Sequence, residues 1–377
     1  MRLKSLLAAS AAVLVATAAT AQIKIGASLS VTGPASFLGD PELKTLQMLV
    51  EQVNAAGGVN GEPLVLVHYD DGGDANKART FATRLVEDDE VVAVIGGSTT
   101  GATMAMGPVF AEAEVPFISL AGAVVIIDPV NPWVFKTPHT DRMACEKIFA
   151  DIRKRGLSKV GMISGTDGFG ASMRAQCLEV AAASGVEIVA DETYGPGDAD
   201  MTPQLTRIRN AAGVEAVVNP GFGQGPAIVT RNYAQLGVGL PFYQSHGVAS
   251  DAFIELAGPA AEGVRLPGTA LLVADLLPAD DPQREVVMAY KTAYEAAFGA
   301  TPSTFGGYAH DAFWLMVEAI RAAGVAEGPA IRDAIEATQG WVGVTGAFTM
   351  SPTDHMGLDL SAFRMLEIEN GGWKLVE

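Results

Sequence analysis

Val91-Val92-Ala93-Val94-Ile95-Gly96-Gly97-Ser98-Thr99-Thr100-Gly101 is an apolar run that breaks on two glycines and three hydroxyl side chains, just before helical spacing begins over 102–113. Five apolar residues in succession suit a strand covered on both faces, the condition of a parallel sheet. A strand that passes straight into a helix is half of a βαβ unit, with its turn at the strand's carboxyl end. The same unit recurs outward from this stretch. Strands over 23–28, 64–69 and 115–119 alternate with helices over 41–56 and 75–88. The rhythm restarts with a helix over 142–155, then strands over 159–163, 187–190, 216–219 and 241–243 separated by helices over 170–183, 203–211 and 225–235. Two such runs predict an α/β chain of two doubly wound, Rossmann-like lobes. Residues 266–282 are Pro-rich and weakly patterned, and read as a passage back to the first lobe. Helices over 281–298, 308–323 and 329–337 follow. The tail alternates, and Asn370-Gly371-Gly372 signals a hairpin turn.

Composition narrows the function. A chain of 377 residues, 49% hydrophobic, is too long for one ordinary core and too apolar for disorder. A net charge of −18 repels phosphate, so no nucleic-acid partner is expected. Arg2 and Lys4, the apolar run 6–19 and Ala19-Thr20-Ala21 have the layout of a cleaved secretory leader over 1–21. The run is shorter than the ~20 residues of a membrane span. An exported, periplasmic product is expected. In an oxidising compartment Cys145 and Cys177 either pair or stay as two buried thiols, and the sequence leaves both open.

Catalytic signatures fail one by one. The five histidines, His68, His139, His246, His310 and His355, show no metal-ligand spacing. Thr100 stands where the G-x-S-x-G elbow needs glycine. Gly221-Phe222-Gly223-Gln224-Gly225 follows a strand, but the acid a dinucleotide site needs ~20 residues on is absent. No enzyme, cofactor or metal is therefore expected. What remains is a binding constellation. Glycines and hydroxyls over 96–101 enter a helix N-terminus, where free N–H groups and the helix dipole suit a carboxylate; plain capping by Thr99 or Thr100 is the alternative. Ligands of such sheets bind outside the carboxyl ends of the strands. The loops there hold Phe37-Leu38, Ser98-Thr99-Thr100, Ala121-Gly122, Gly168-Phe169-Gly170, Gly221-Phe222-Gly223 and Ser245-His246-Gly247. Phe169 and Phe222, each between glycines, are placed to pack on a ligand.

Residues 23–40 (IKIGASLSVTGPASFLGD), 54–61 (NAAGGVNG), Tyr69-Asp70-Asp71, 93–100 (AVIGGSTT) and 117–121 (FISLA) resemble the branched-chain amino-acid-type periplasmic solute-binding proteins. The resemblance implies two lobes joined by three crossover strands. Lobe one would be 22–140 plus 270–345, and lobe two 141–269 plus 346–377. It implies a monomer that traps a small ligand between its lobes and delivers it to an ABC permease complex, or a sensing module of the same fold. Carried over residue by residue, Thr100 matches the hydroxyl that holds the ligand's carboxylate, with Ser98 and Thr99 beside it. Ala121 and Gly122 match the next loop, Leu38 the apolar wall, and Phe169 and Phe222 the two aromatics. Two features depart from the family pattern. Ala123 replaces a threonine that helps bind an ammonium, and His246 replaces its acidic partner. Gly73 and Thr99 occupy the places of a disulfide found in some relatives. A buried ammonium without a partner costs about 3–5 kcal/mol. The expected ligand is therefore a carboxylate lacking an α-ammonium, of the benzoate or phenylpropanoid type; the alternative is an amino acid.

Overall fold

The computed structural model describes residues 22–376. The leader expected over 1–21 lies outside them. Five parallel strands make the first sheet, in the order β2-β1-β3-β4-β5: β1 Ile23–Leu29, β2 Leu64–Asp70, β3 Ala93–Gly96, β4 Phe117–Ser119 and β5 Val134–Lys136. Helices α1 (Ser36–Ala55), α2 (Ala75–Glu87) and α3 (Thr100–Glu112) connect the first of these strands. Apolar residues of β1, β3 and β4 are buried on both faces, as the continuous runs require.

The second sheet has seven strands in the order β14-β13-β10-β9-β8-β6-β7. Its parallel part is β6 (Lys159–Gly165), β7 (Glu187–Tyr194), β8 (Ala216–Asn219), β9 (Phe242–Gln244) and β10 (Arg265–Gly268), with α4 (Asp141–Lys154), α5 (Gly168–Ala181), α6 (Thr202–Arg209), α7 (Gln224–Gln235) and α8 (Asp251–Ala257) between them. The chain then returns to the first half for α9 (Arg284–Phe298), α10 (Thr304–Ala323), α11 (Gly328–Glu336) and the short pair β11 (Trp341–Val342) and β12 (Ala347–Phe348). It crosses again to β13 (Arg364–Glu369) and β14 (Gly372–Leu375), an antiparallel hairpin on the sheet's edge. Asn370 and Gly371 both have positive φ (54° and 72°), which gives the two-residue turn the NG signal predicts. Three passages thus join the halves: 137–140, the segment after β10, and the segment before β13.

Several boundaries differ from the sequence reading. β10 is a strand inside the segment read as a passage; Pro267 interrupts its apolar pattern without preventing pairing to β13 opposite Met365. β5, three residues long, carries too short a pattern to register. Helix α1 starts at Ser36, before Pro41, so Phe37 and Leu38 sit in its first turn rather than a loop. Likewise α5 starts at Gly168, with Asp167 accepting from the Phe169 and Gly170 N–H groups as its N-cap. The open question of the cysteines is settled by a Cys145–Cys177 disulfide with Cα atoms 5.1 Å apart, which ties α4 to α5 in the core.

Closing a loop of this span, 32 residues in sequence, stabilises a fold by about 3–4 kcal/mol through the unfolded chain. Replacing both cysteines by alanine is expected to lower the thermal midpoint by roughly 5 °C. An unchanged midpoint in differential scanning calorimetry would show that the bridge does not hold α5 in place.

Candidate functional site

Between the two halves lies a small cavity. All nine residues singled out from sequence line it: Leu38, Ser98, Thr99, Thr100, Ala121, Gly122, Phe169, Phe222 and His246. Leu120, Gly247, Phe305 and Tyr308 complete the wall. The reason for this gathering is the placement of helix starts. Leu38 lies in the first turn of α1, Thr100 opens α3, Phe169 is second in α5 and Phe305 second in α10. Phe222 and Gly223 directly precede α7. Parallel strands deliver α1, α3, α5 and α7 with their N-termini at the carboxyl ends of the sheets, while α10 follows α9, so several positive dipole ends surround one space. Phe305 and Tyr308 escape the sequence reading because α10 begins four residues before the predicted start, and its spacing is that of any buried helix.

The three consecutive hydroxyls do different work. Thr99 is the N-cap of α3, its side chain accepting from the Ala102 N–H at 3.2 Å. Ser98 Oγ donates to Glu42 Oε2 at 2.5 Å and accepts from the Ser30 N–H at 3.0 Å. Thr100 Oγ1 is buried and makes no hydrogen bond within the protein. The same holds for the Tyr308 hydroxyl. A buried hydroxyl left without a partner costs ~1–3 kcal/mol. Thr100 and Tyr308 therefore stand ready to bond whatever fills the cavity.

The second wall is aromatic. Phe169 meets Phe222 edge-on at 6.2 Å and His246 edge-on at 5.3 Å between ring centroids. Phe37 bridges the halves, 6.3 Å from Phe222 and 5.5 Å from Phe305. Such offset and edge contacts leave flat faces available to a further ring. His246 is buried, and its ring nitrogens make no well-formed hydrogen bond within the protein. Burial, reinforced by His139 and Lys136, holds it well below the ordinary histidine range, so it is neutral. Gly122 leaves no room between the walls for a side chain: a Cβ there would stand 2.7 Å from His246 Nε2 and 2.9 Å from Phe169 Cε2.

Among the described residues no carboxylate lines the cavity. Glu42 lies hidden behind Ser98. Burial, opposed by the Ser98 hydrogen bond and assisted by Asp71, pushes its carboxyl up to about 8, so at neutral pH it carries a proton and no charge. Asp167, at the outer mouth, is committed to capping α5. On the opposite side of the floor, β5 ends in Lys136, fully buried beneath the 121–123 loop. Among the described residues no cluster of His, Cys, Asp and Glu is arranged to hold a metal ion, and no helix is long and apolar enough to cross a membrane.

Comparison with known proteins is decisive at the level of family. The periplasmic binding protein family matches residues 22–372. The chain belongs to that family. Among solved structures, this periplasmic binding protein is similar to an extracellular ligand-binding receptor from Rhodopseudomonas palustris HaA2 (32% identity, TM-score 0.88, covering 94% of this chain and 100% of the other). It has the fold of LivJ from Streptococcus pneumoniae, a branched-chain amino acid transporter substrate-binding protein solved with isoleucine (24% identity, TM-score 0.82, covering 94% and 99%). Among curated proteins it is 31% identical over 212 residues to Leu/Ile/Val-binding protein homolog 7 of Brucella suis biovar 1. That match covers 53% of this chain and 53% of the relative, so the chain spans about half the length of the curated relatives it matches.

Glu42 also gives this periplasmic binding protein a pH signature. Its carboxyl keeps a proton to about 8 when folded but loses it near 4.5 when unfolded, so stability falls as pH rises between those values, by up to about 1.4 kcal/mol per unit. Glu42→Gln is expected to flatten the decline of the thermal midpoint between pH 5 and pH 8. A slope equal to that of the unaltered protein would show that Glu42 is ionised in the fold.

Proposed function

We propose that this chain is the periplasmic solute-binding component of an ABC importer, and that its ligand is a small carboxylate with a flat, apolar body, of the benzoate or phenylpropanoid class. One observation carries the ligand class: the cavity has an unpartnered hydroxyl at a helix N-terminus but no carboxylate anywhere on its wall. The ligand's acid head bonds Thr100 Oγ1 and the N–H groups that open α3, beside the positive dipole end. An α-ammonium on the same ligand would face neutral His246 and the alanines at 121 and 123, and would stay unpaired at a cost of several kcal/mol. The ring lies among Phe169, Phe222 and Phe305, while Tyr308 and His246 offer hydrogen bonds to a polar substituent.

Binding energy comes chiefly from apolar burial. Covering roughly 200 Å² of ring surface is worth about 5 kcal/mol, to which the charged hydrogen bonds add about 1.5–3 kcal/mol each. The ligand touches groups from both halves, so it favours the conformation in which they meet, and hinge closure is the recognition signal. The protein acts as a monomer, uses no cofactor, loses residues 1–21 on export, and presents its loaded form to a membrane permease complex. A second reading, an amino-acid ligand, is favoured by the names of the Leu/Ile/Val-binding relatives. A sensing role would use the same cavity with a different partner.

Isothermal titration calorimetry with 4-hydroxybenzoate, 4-hydroxycinnamate and leucine separates these readings. The aromatic acids are expected to bind at micromolar or tighter concentrations and leucine not at all. Tight leucine binding without binding of either acid would overturn the assignment. Thr100→Val removes the hydroxyl at nearly constant volume and is expected to weaken acid binding about tenfold or more, the cost of one hydrogen bond to a charged group.

A further inference from the structure

Lys136 is a buried residue that the proposed recognition scheme does not use. It terminates β5, opposite Ser119 in the register of the first sheet, and its side chain is completely buried. The ammonium Nζ donates to two backbone carbonyls, Ala123 O at 3.3 Å and His139 O at 3.4 Å, both long contacts. A lysine sequestered this deeply normally has a carboxylate against it. The acid that acts on it is Asp141, whose oxygens are engaged by the Val124 and Arg142 N–H groups and the Ser172 hydroxyl. No ion pair joins the two among the described residues. Asp141 stands at the start of α4, held against the end of the cavity loop by its N–H donating to Gly122 O at 3.0 Å and its carboxylate accepting from the Val124 N–H.

Lys136 therefore carries charge that the protein compensates only in part, and its position decides what could compensate the rest. Ala123, which takes one of its hydrogen bonds, immediately follows the cavity residues Ala121 and Gly122. His139, which takes the other, stacks on Phe363 at 3.8 Å, and Phe363 in turn meets His246, a wall residue, at 5.4 Å. The strand end, the first passage and the third passage between the halves all meet here.

We propose that Lys136 is the counter-cation of the site: a positioning residue beneath the cavity floor whose charge balances that of the bound carboxylate without touching it. The inference rests on the carboxylate reading above. It explains how an anion can be buried against a wall that contains no cationic side chain. Burial lowers the lysine to about 7, partly restored by Asp141, so a fraction of the free protein holds it neutral near physiological pH. The other titratable groups facing it do not mask this. His139, at about 3, and His246 are neutral. His355 contributes its backbone carbonyl to the Lys136 N–H, and Lys147 and Arg364 act on His139. An anion above the floor raises the proton affinity of Lys136, so binding draws in a proton and weakens as pH rises above 7. Ionisation of Glu42 acts in the same direction near pH 8, and Glu42→Gln separates the two.

Calorimetry of 4-hydroxybenzoate binding at pH 7.5 in two buffers of different ionisation enthalpy tests the proposal, because the difference in heat counts protons taken up. Uptake of a substantial fraction of a proton is expected for the unaltered protein and for Glu42→Gln. Lys136→Met is expected to lose that uptake and about tenfold in affinity, the effect of losing one buried charge that does not touch the ligand. Lys136→Arg, charged at every working pH, is expected to keep affinity without uptake. Acid binding that Lys136→Met leaves unaltered overturns this role alone. Should Lys136→Met fail to fold, absence of proton uptake in the unaltered protein overturns it equally. Failure of every aromatic acid to bind overturns the ligand reading and this inference with it.

Discussion

A parallel strand hands its chain to a helix whose N-terminus lies at the strand's carboxyl end, and everything recognised in this molecule hangs on that constraint. The first residues of α1, α3 and α5 meet around one cavity although more than a hundred positions of sequence separate them, and α10, which follows α9 rather than a strand, brings its own first turn to the same place. The helix starts contribute partial positive charge that no side chain has to supply. They also bring the side chains of Leu38, Thr100, Phe169 and Phe305 to the cavity from the first turns of their helices. Asp167 and Thr99 are structural in this sense: by capping α5 and α3 they fix the orientation of Phe169 and Thr100.

The polar groups around the cavity form two layers of opposite tendency. Behind Ser98, burial keeps Glu42 protonated, which removes a negative charge that would repel an acid. Beneath the 121–123 loop, Lys136 carries a charge that Asp141 balances only in part. The wall itself stays nearly neutral. For the ligand proposed above, selection for the acid would come from the surroundings of the cavity and selection for the ring from its surface.

Much of this was legible in the chain, for a physical reason. Runs such as 91–96 are apolar on both faces and end in glycine, so strand, turn and helix follow from local chemistry. Thr100, Phe169, Phe222 and His246 could be placed because each stands directly after a strand's carboxyl end. Residues held by distant segments were not readable in the same way. Phe305 and Tyr308 belong to a helix whose apolar spacing signals a core and says nothing of which cavity it borders. Lys136 looks like a surface residue in any window of sequence, since only the sheet on one side and the first passage on the other bury it. Glu42 lies on a helix face that would be solvated if α1 were alone. Pro267 conceals β10, because its missing N–H is harmless only at that register. Pairing of Cys145 with Cys177 required the distance between α4 and α5, which no spacing rule supplies.

Gly122 is where the two walls leave no room for a side chain. Its missing Cβ is the gap that the imidazole of His246 and the ring of Phe169 occupy, so a single methyl group at that position would act as a wedge. An alanine there would push aside the tips of the two rings that line the slot or hold its walls apart, and either way would reshape the space left for a planar guest.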